Sequence, residues 1–195
     1  MRTAEITRTT KETAITLTLN LDGSGKADVS TGVGFFDHMM DALTRFALID
    51  LTLAVKGDTW VDAHHTVEDT GICLGQAIRD ALGDRAGIRR VGSAYLPMDE
   101  ALAFAAMDIS GRPFLAWDAA FTAPMCGQMD TQLAEEFFRA VCVHAGLTLH
   151  MRLLAGRNDH HRMEALFKAF GLALRDAAAA DPRITGVLST KGSLD

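Results

Sequence analysis

The segment HHTVEDTGICLGQAIRDA (residues 64–81) returns 96 positions later, without a gap, as HHRMEALFKAFGLALRDA (160–177). Eight of the eighteen positions coincide: His64/His160, His65/His161, Glu68/Glu164, Gly75/Gly171, Ala77/Ala173, Arg79/Arg175, Asp80/Asp176 and Ala81/Ala177. A chain that writes one segment twice must fold it twice, so duplication and fusion of a supersecondary unit is the first constraint on its architecture.

The same order of elements surrounds each copy. In the first, MMDALTRFALI (39–49) has a helical period and LTLAV (51–55) alternates like a strand. A polar loop follows, and the HH segment opens a second helix through IRDAL. In the second, QLAEEFFRAVCVHAG (132–146) is the helix, LTLHMRLLA (147–155) the strand, GRND the loop and residues 160–180 the last helix. Further strand patterns precede both blocks, at 4–21 and 26–31 and again within 95–121. Comparable amounts of helix and strand with hairpin-like connections predict an α+β fold, an internal duplication of a sheet-plus-helices unit with helices layered on mainly antiparallel sheets. The boundary between copies is expected near GDRAGIRRVGS (83–93), which divides the chain into halves at 1–88 and 89–195 packed as one compact unit.

Only seven histidines occur in the 195 residues, and four of them stand in the two HH pairs. On a helix, residues four apart differ by about 40° in direction and adjacent ones by about 100°. His64 and Glu68 can therefore grip one ion, as can His160 and Glu164, while His65 and His161 point elsewhere and are free to serve another site. A single such segment reads as a helix N-terminus whose carboxylates offset the helix dipole. Its repetition in a histidine-poor chain points to metal. Imidazole and carboxylate without thiolate suit manganese, iron or zinc. Asp69 has no counterpart, because Ala165 takes its place, and is read as a group supporting the ligands or capping the helix. His38 lies 26 residues before the first HH and Glu136 lies 24 before the second, so each copy offers a third ligand. His144 and His150 lack such partners and are read as structural.

Charge and composition narrow the partners. A net charge of −6 and a pI near 5.6 disfavour nucleic acid, although a few placed cations can still meet a small anion. Nothing resembles a signal peptide or a membrane span, so a cytoplasmic location is expected. Three cysteines without C-x-x-C spacing suggest reduced, buried thiols.

These residues resemble the imidazoleglycerol-phosphate dehydratase family over nearly the whole length. The resemblance rests on RTTKET (8–13), GVGFFDHM (32–39), HHTVEDTG (64–71), PMDEAL (97–102), SGRP (110–113), HHRMEALFKA (160–169) and STKG (189–192). It implies ribosomal protein S5 domain 2-like halves and a hydro-lyase of histidine biosynthesis. It further implies two Mn2+ ions per active site, each held by residues of both repeats where subunits meet, in a homo-oligomer of twenty-four subunits. Carried across, one ion takes His38, His64, Glu68 and His161, and the other takes His65, His160, Glu164 and position 136. Many relatives have histidine where this chain has Glu136, which leaves that ligand open.

By the same resemblance, imidazoleglycerol phosphate loses water to give imidazole acetol phosphate through a metal-stabilised imidazolate. Glu12, Glu164 and Glu68 are the carboxylates implied for acid and base work. Glu12, His38 and His64 are implied in substrate binding, with Arg90, Arg112, Ser189, Thr190 and Lys191 on the phosphate. Asp99 and Glu100 are expected to fix their loop or a metal-bound histidine. The length excludes the fused phosphatase domain of some relatives, so one activity is expected. Two other readings compete: a metal-dependent hydrolase, which the absence of an H-E-x-x-H pattern disfavours, and a non-catalytic metal-binding assembly protein, which leaves Glu12, the arginines and STKG unexplained.

Overall fold

Alternation in TAITLTLN is what a strand with one wet face requires. β2 (Thr13–Asn20) buries Thr13, Ile15, Leu17 and Leu19 and turns the residues between them to solvent. It pairs antiparallel with β1 (Thr3–Thr9) and with β4 (Asp50–Gly57), and β4 pairs parallel with β3 (Ala27–Ser30), giving the order β1-β2-β4-β3. The computed structural model describes residues 1–194. α1 (Gly34–Ala47) joins β3 to β4, and α2 (His64–Leu82) follows β4.

The second sheet repeats this plan. Its order is β5-β6-β10-β7, from β5 (Val91–Met98), β6 (Ala101–Asp108), β7 (Phe114–Asp118) and β10 (Thr148–Ala155), with β7 and β10 the parallel pair. α3 (Leu133–Ala145) precedes β10 and α4 (Asp159–Ala178) follows it. The expected α+β duplication is therefore observed. One addition breaks the symmetry, a short hairpin of β8 (Met125–Cys126) and β9 (Met129–Asp130).

Helices of the two copies cross. α2 packs on α3 and α1 packs on α4, while α2 also covers β1, β2 and β4 and α4 covers β5 and β6. The helix layers thus meet back to back, with a sheet outside each. This crossing explains two of the repeated residues. A Cβ on Gly75 would stand 2.8 Å from the Val141 carbonyl oxygen, and one on Gly171 would stand 2.6 Å from that of Leu43. Only glycine lets the backbones approach so closely. Phe36, Phe137, Phe138, Phe167 and Phe170 fill the centre, with Phe137 and Phe167 stacked at 5.2 Å.

One boundary differs usefully from the sequence expectation. α1 begins at Gly34, ahead of the periodic stretch, and so includes His38. Asp37 accepts hydrogen bonds from the Thr31 N–H (2.8 Å) and Oγ1 (2.5 Å), which folds the glycine turn back onto the first helical turn. At α4, the Asn158 side chain accepts from the His160 and His161 N–H groups and fixes where that helix starts. Cys73, Cys126 and Cys142 are buried and unbridged. Among the described residues no helix is long and apolar enough to cross a membrane.

Candidate metal centre and anion pocket

Three ligand types converge between α1 and α4. His38, His160 and Glu164 bring their donor atoms within 4.8 Å of one another. Glu164 Oε2 lies 3.3 Å from the Nε2 of both His38 and His160. Its other oxygen, Oε1, is held by Lys168 Nζ at 2.6 Å. Burial pushes the Glu164 carboxyl up, but Lys168 and His38 outweigh it and hold it below its ordinary value, ionised and fit to be a ligand.

Within one copy of the chain, the residues that the resemblance implies as partners of His38 lie apart from it. His38 meets His160 and Glu164 of the second repeat, not His64 and Glu68. The cause is the helix crossing, which lays α1 on α4. Position 136 moves correspondingly. Glu136, on α3, lines a cavity of about 530 Å³ with His64, Asp62 and Asp130, because α3 lies on α2. There His64 Nε2 and Glu68 Oε2 are 3.4 Å apart and well exposed, and Glu136 is turned to Arg139 at 3.6 Å.

The second histidine of each pair is held from behind. The His65 Nδ1–H donates to Asp58 at 3.0 Å, and that of His161 to Glu100 at 2.8 Å. Each carboxylate raises its histidine's pKa through this bond. Glu100 also accepts from the backbone N–H groups of Asn158 and Arg157. With His161 as the largest influence, its own pKa is lowered to about 2. A carboxylate on Nδ1 fixes the tautomer that leaves Nε2 as the free donor, the usual support of a metal-bound imidazole. Each Nε2 faces an acidic side chain at the turn of its repeat's first hairpin, Glu12 at 3.8 Å from His65 and Asp99 at 3.9 Å from His161.

The phosphate candidates also gather. Arg90, Arg112, Ser189, Thr190 and Lys191 line one open cavity of about 660 Å³. Arg90 is gripped by Asp108 at 2.6 and 2.9 Å and donates to the Leu188 carbonyl, so its guanidinium is oriented before any ligand arrives. Arg183, bound to Asp181, is a further cation there that sequence reasoning missed, for it stands in an exposed loop without a motif. Lys168 was missed as well, although its place one helical turn after Glu164 was readable. Asp58 carried no signal at all, since its role depends on how the loop before α2 closes.

Comparison with known proteins gives the family. Residues 31–174 match the family model described as imidazoleglycerol-phosphate dehydratase. An imidazoleglycerol-phosphate dehydratase of Symbiobacterium thermophilum is 60% identical over 193 residues, covering 99% of this chain and 93% of that protein. One of Ruminiclostridium cellulolyticum is 58% identical over the full length of both. The crystal structure of the Staphylococcus aureus dehydratase superposes with a TM-score of 0.84 at 39% identity, covering 92% of this chain and 99% of that one. A chain with this duplicated fold, this pairing of imidazoles with carboxylates and these relatives is a hydro-lyase, and it belongs to the imidazoleglycerol-phosphate dehydratase family.

Proposed function

We propose that the protein removes water from imidazoleglycerol phosphate to give imidazole acetol phosphate in a metal-dependent reaction, with Mn2+ as the expected ion. The observation that carries this reading is the convergence of His38, His160 and Glu164 with Glu164 kept ionised. The donor set, two imidazoles and a carboxylate, fits a divalent cation.

His38, His160 and Glu164 would hold one cation. His64, Glu68 and Glu136 would hold the second once Glu136 leaves Arg139. His65 and His161 lie outside the converging set, and Asp58 and Glu100 hold their Nδ1 atoms, so they suit sets on another copy of the chain. That incompleteness supports self-association, and twenty-four copies are what the family resemblance implies. When bound, the ions supply Lewis acidity that draws electron density from the substrate's imidazole ring and eases proton loss from an otherwise barely acidic carbon.

The chain's own groups do the rest. Glu12, exposed at its hairpin turn, is the carboxylate that moves a proton at the substrate's carbon chain, and Glu164 and Glu68 are the other acid and base groups. Arg90, Arg112, Ser189, Thr190 and Lys191 bind the phosphate, for which fork-shaped guanidinium donors are well suited. Their cavity fixes the far end of the substrate and so aims its ring.

The test is dehydration of imidazoleglycerol phosphate by chelator-stripped protein, before and after manganese is restored. Activity that returns only with metal is expected. A folded, metal-loaded protein without turnover would sink the reading. Light scattering checks the assembly: a particle near twenty-four chains with metal, and smaller species without it.

A further inference from the structure

We infer that Asp69, which touches no ligand or substrate group, is a positioning residue that holds Glu12 at the site. The inference rests on the proposed role of Glu12. Asp69 lies in α2 directly after Glu68 and its side chain is 9% exposed. It binds both ends of the β1–β2 turn at once. Arg8 near the end of β1 donates from its guanidinium to Oδ1 at 2.9 Å, and Thr13 at the start of β2 donates its hydroxyl to Oδ2 at 2.5 Å. The turn between them closes on itself, with the Glu12 and Thr13 N–H groups donating to Thr10 Oγ1.

A buried carboxylate with two charge-assisted partners is a strong anchor. Here it fastens the hairpin that carries Glu12 to the helix that carries His64, His65 and Glu68. A second tie runs in parallel, because the Glu12 carbonyl accepts from the Asp58 N–H at 3.1 Å while the Asp58 carboxylate holds His65. Glu12 and His65 are therefore set relative to each other through two short paths, one of them Asp69.

The second repeat does without this anchor. Ala165 stands in the place of Asp69, and the corresponding hairpin is tied instead at its tip, through Glu100 to the Arg157 and Asn158 N–H groups. Asp69 thus serves the one hairpin whose tip carries the proposed proton-transfer group. Glu100 occupies its hairpin's tip with structural bonds; Glu12 keeps its carboxylate free of them, and the fastening moves to the base of the turn.

The test is Asp69→Asn, which keeps the side chain's size but removes the charge facing Arg8. In the metal-loaded enzyme kcat should fall on the order of tenfold to a hundredfold, as a displacement near 1 Å of a reacting group would give. KM and bound metal should stay within about twofold of wild type, a split that a general loss of structure would not produce. In a Glu12→Gln background the same substitution should cost little more, since both act through one carboxylate. Thr13→Val, which removes one hydroxyl at constant shape, should give the same pattern in weaker form and replaces Asp69→Asn should that variant not fold. Hydrogen exchange at the hairpin amides gives an activity-independent readout, with faster exchange at Glu12 and Thr13 expected. Unchanged kcat together with unchanged exchange overturns the inference, as does a kcat loss fully additive with Glu12→Gln. If wild type itself shows no turnover, the dehydratase reading fails, and the exchange measurement alone decides whether Asp69 holds the hairpin.

Discussion

The two HH helices begin with the same words and end in different surroundings. Glu164 is 9% exposed, shares one oxygen with Lys168 and turns the other to His38 and His160. Glu68, its repeat equivalent, is 43% exposed and among the described residues pairs with His64 alone, with Ile72 standing where the lysine would be. The two His/Glu pairs are alike in sequence, but Lys168 and burial close the second while the first stays open. On the proposed function, the open pair would adjust to an ion and the closed pair would be ordered before one binds.

Removing each carboxylate is the strongest way to break this contrast. Glu164→Ala strands Lys168, whose side chain is 19% exposed, without its counter-charge, and should cost about 3 kcal/mol in the metal-free protein. Glu68→Ala should change stability by no more than about 0.5 kcal/mol, as an exposed substitution does. Both should weaken manganese binding. Urea unfolding of the stripped variants, beside a manganese titration of each, checks the pair, and equal stability losses would mean that the two half-sites are not different in kind.

How much of this was legible in sequence depended on the range of the interaction involved. The i, i+4 pairs His64/Glu68 and His160/Glu164 were readable because helix geometry alone fixes them. The same spacing would have disclosed Lys168. The partner of His38 was not readable, since no local pattern says that α1 lies on α4 and not on α2. Gly75 and Gly171 were a trace of that docking in the sequence, visible as repeated residues, and Gly71 makes a similar approach to the Phe137 carbonyl without a repeat to mark it. The β8–β9 hairpin also escaped, because two-residue strands have no period to detect.

The crossings that these glycines permit can be compared in turn. Alanine normally gains about 1 kcal/mol over glycine inside a helix, whereas forcing a methyl against a fixed carbonyl costs about 1–3 kcal/mol. Gly171→Ala should therefore destabilise by a net of up to about 2 kcal/mol, and Gly75→Ala by somewhat less, since its nearest contact is 2.8 Å against 2.6 Å. Thermal unfolding measures both. A gain in stability at either position would mean that the helices there do not approach as closely as described.

The smallest effect comes from a pair of clamps at the open ends of the first hairpins. Arg2 just before β1 binds Asp22 just after β2, and Arg90 just before β5 binds Asp108 at the end of β6. Both arginines also reach a backbone carbonyl, but Arg2 donates to Ala178 at the end of α4, whereas Arg90 donates to Leu188 beside the anion pocket. The first clamp is structural, and the second is drawn into the proposed phosphate site. Asp22→Asn should thus cost at most about 1 kcal/mol and leave KM unchanged, because the pair is partly exposed and screened. Asp108→Asn should cost a similar amount while raising KM severalfold. The hydrogen bonds from Arg2 hold the Asp22 carboxyl below its ordinary value of 3.8. A carboxyl depressed in the folded state contributes its stability above the unfolded pKa and loses it as pH falls through the folded one. The stability difference between wild type and Asp22→Asn should therefore be constant near neutrality and shrink only as acid takes the pH below about 4. A difference that persisted undiminished well below that range would show that the clamp acts through shape and not through charge, and the likeness of the two clamps would then be one of position alone.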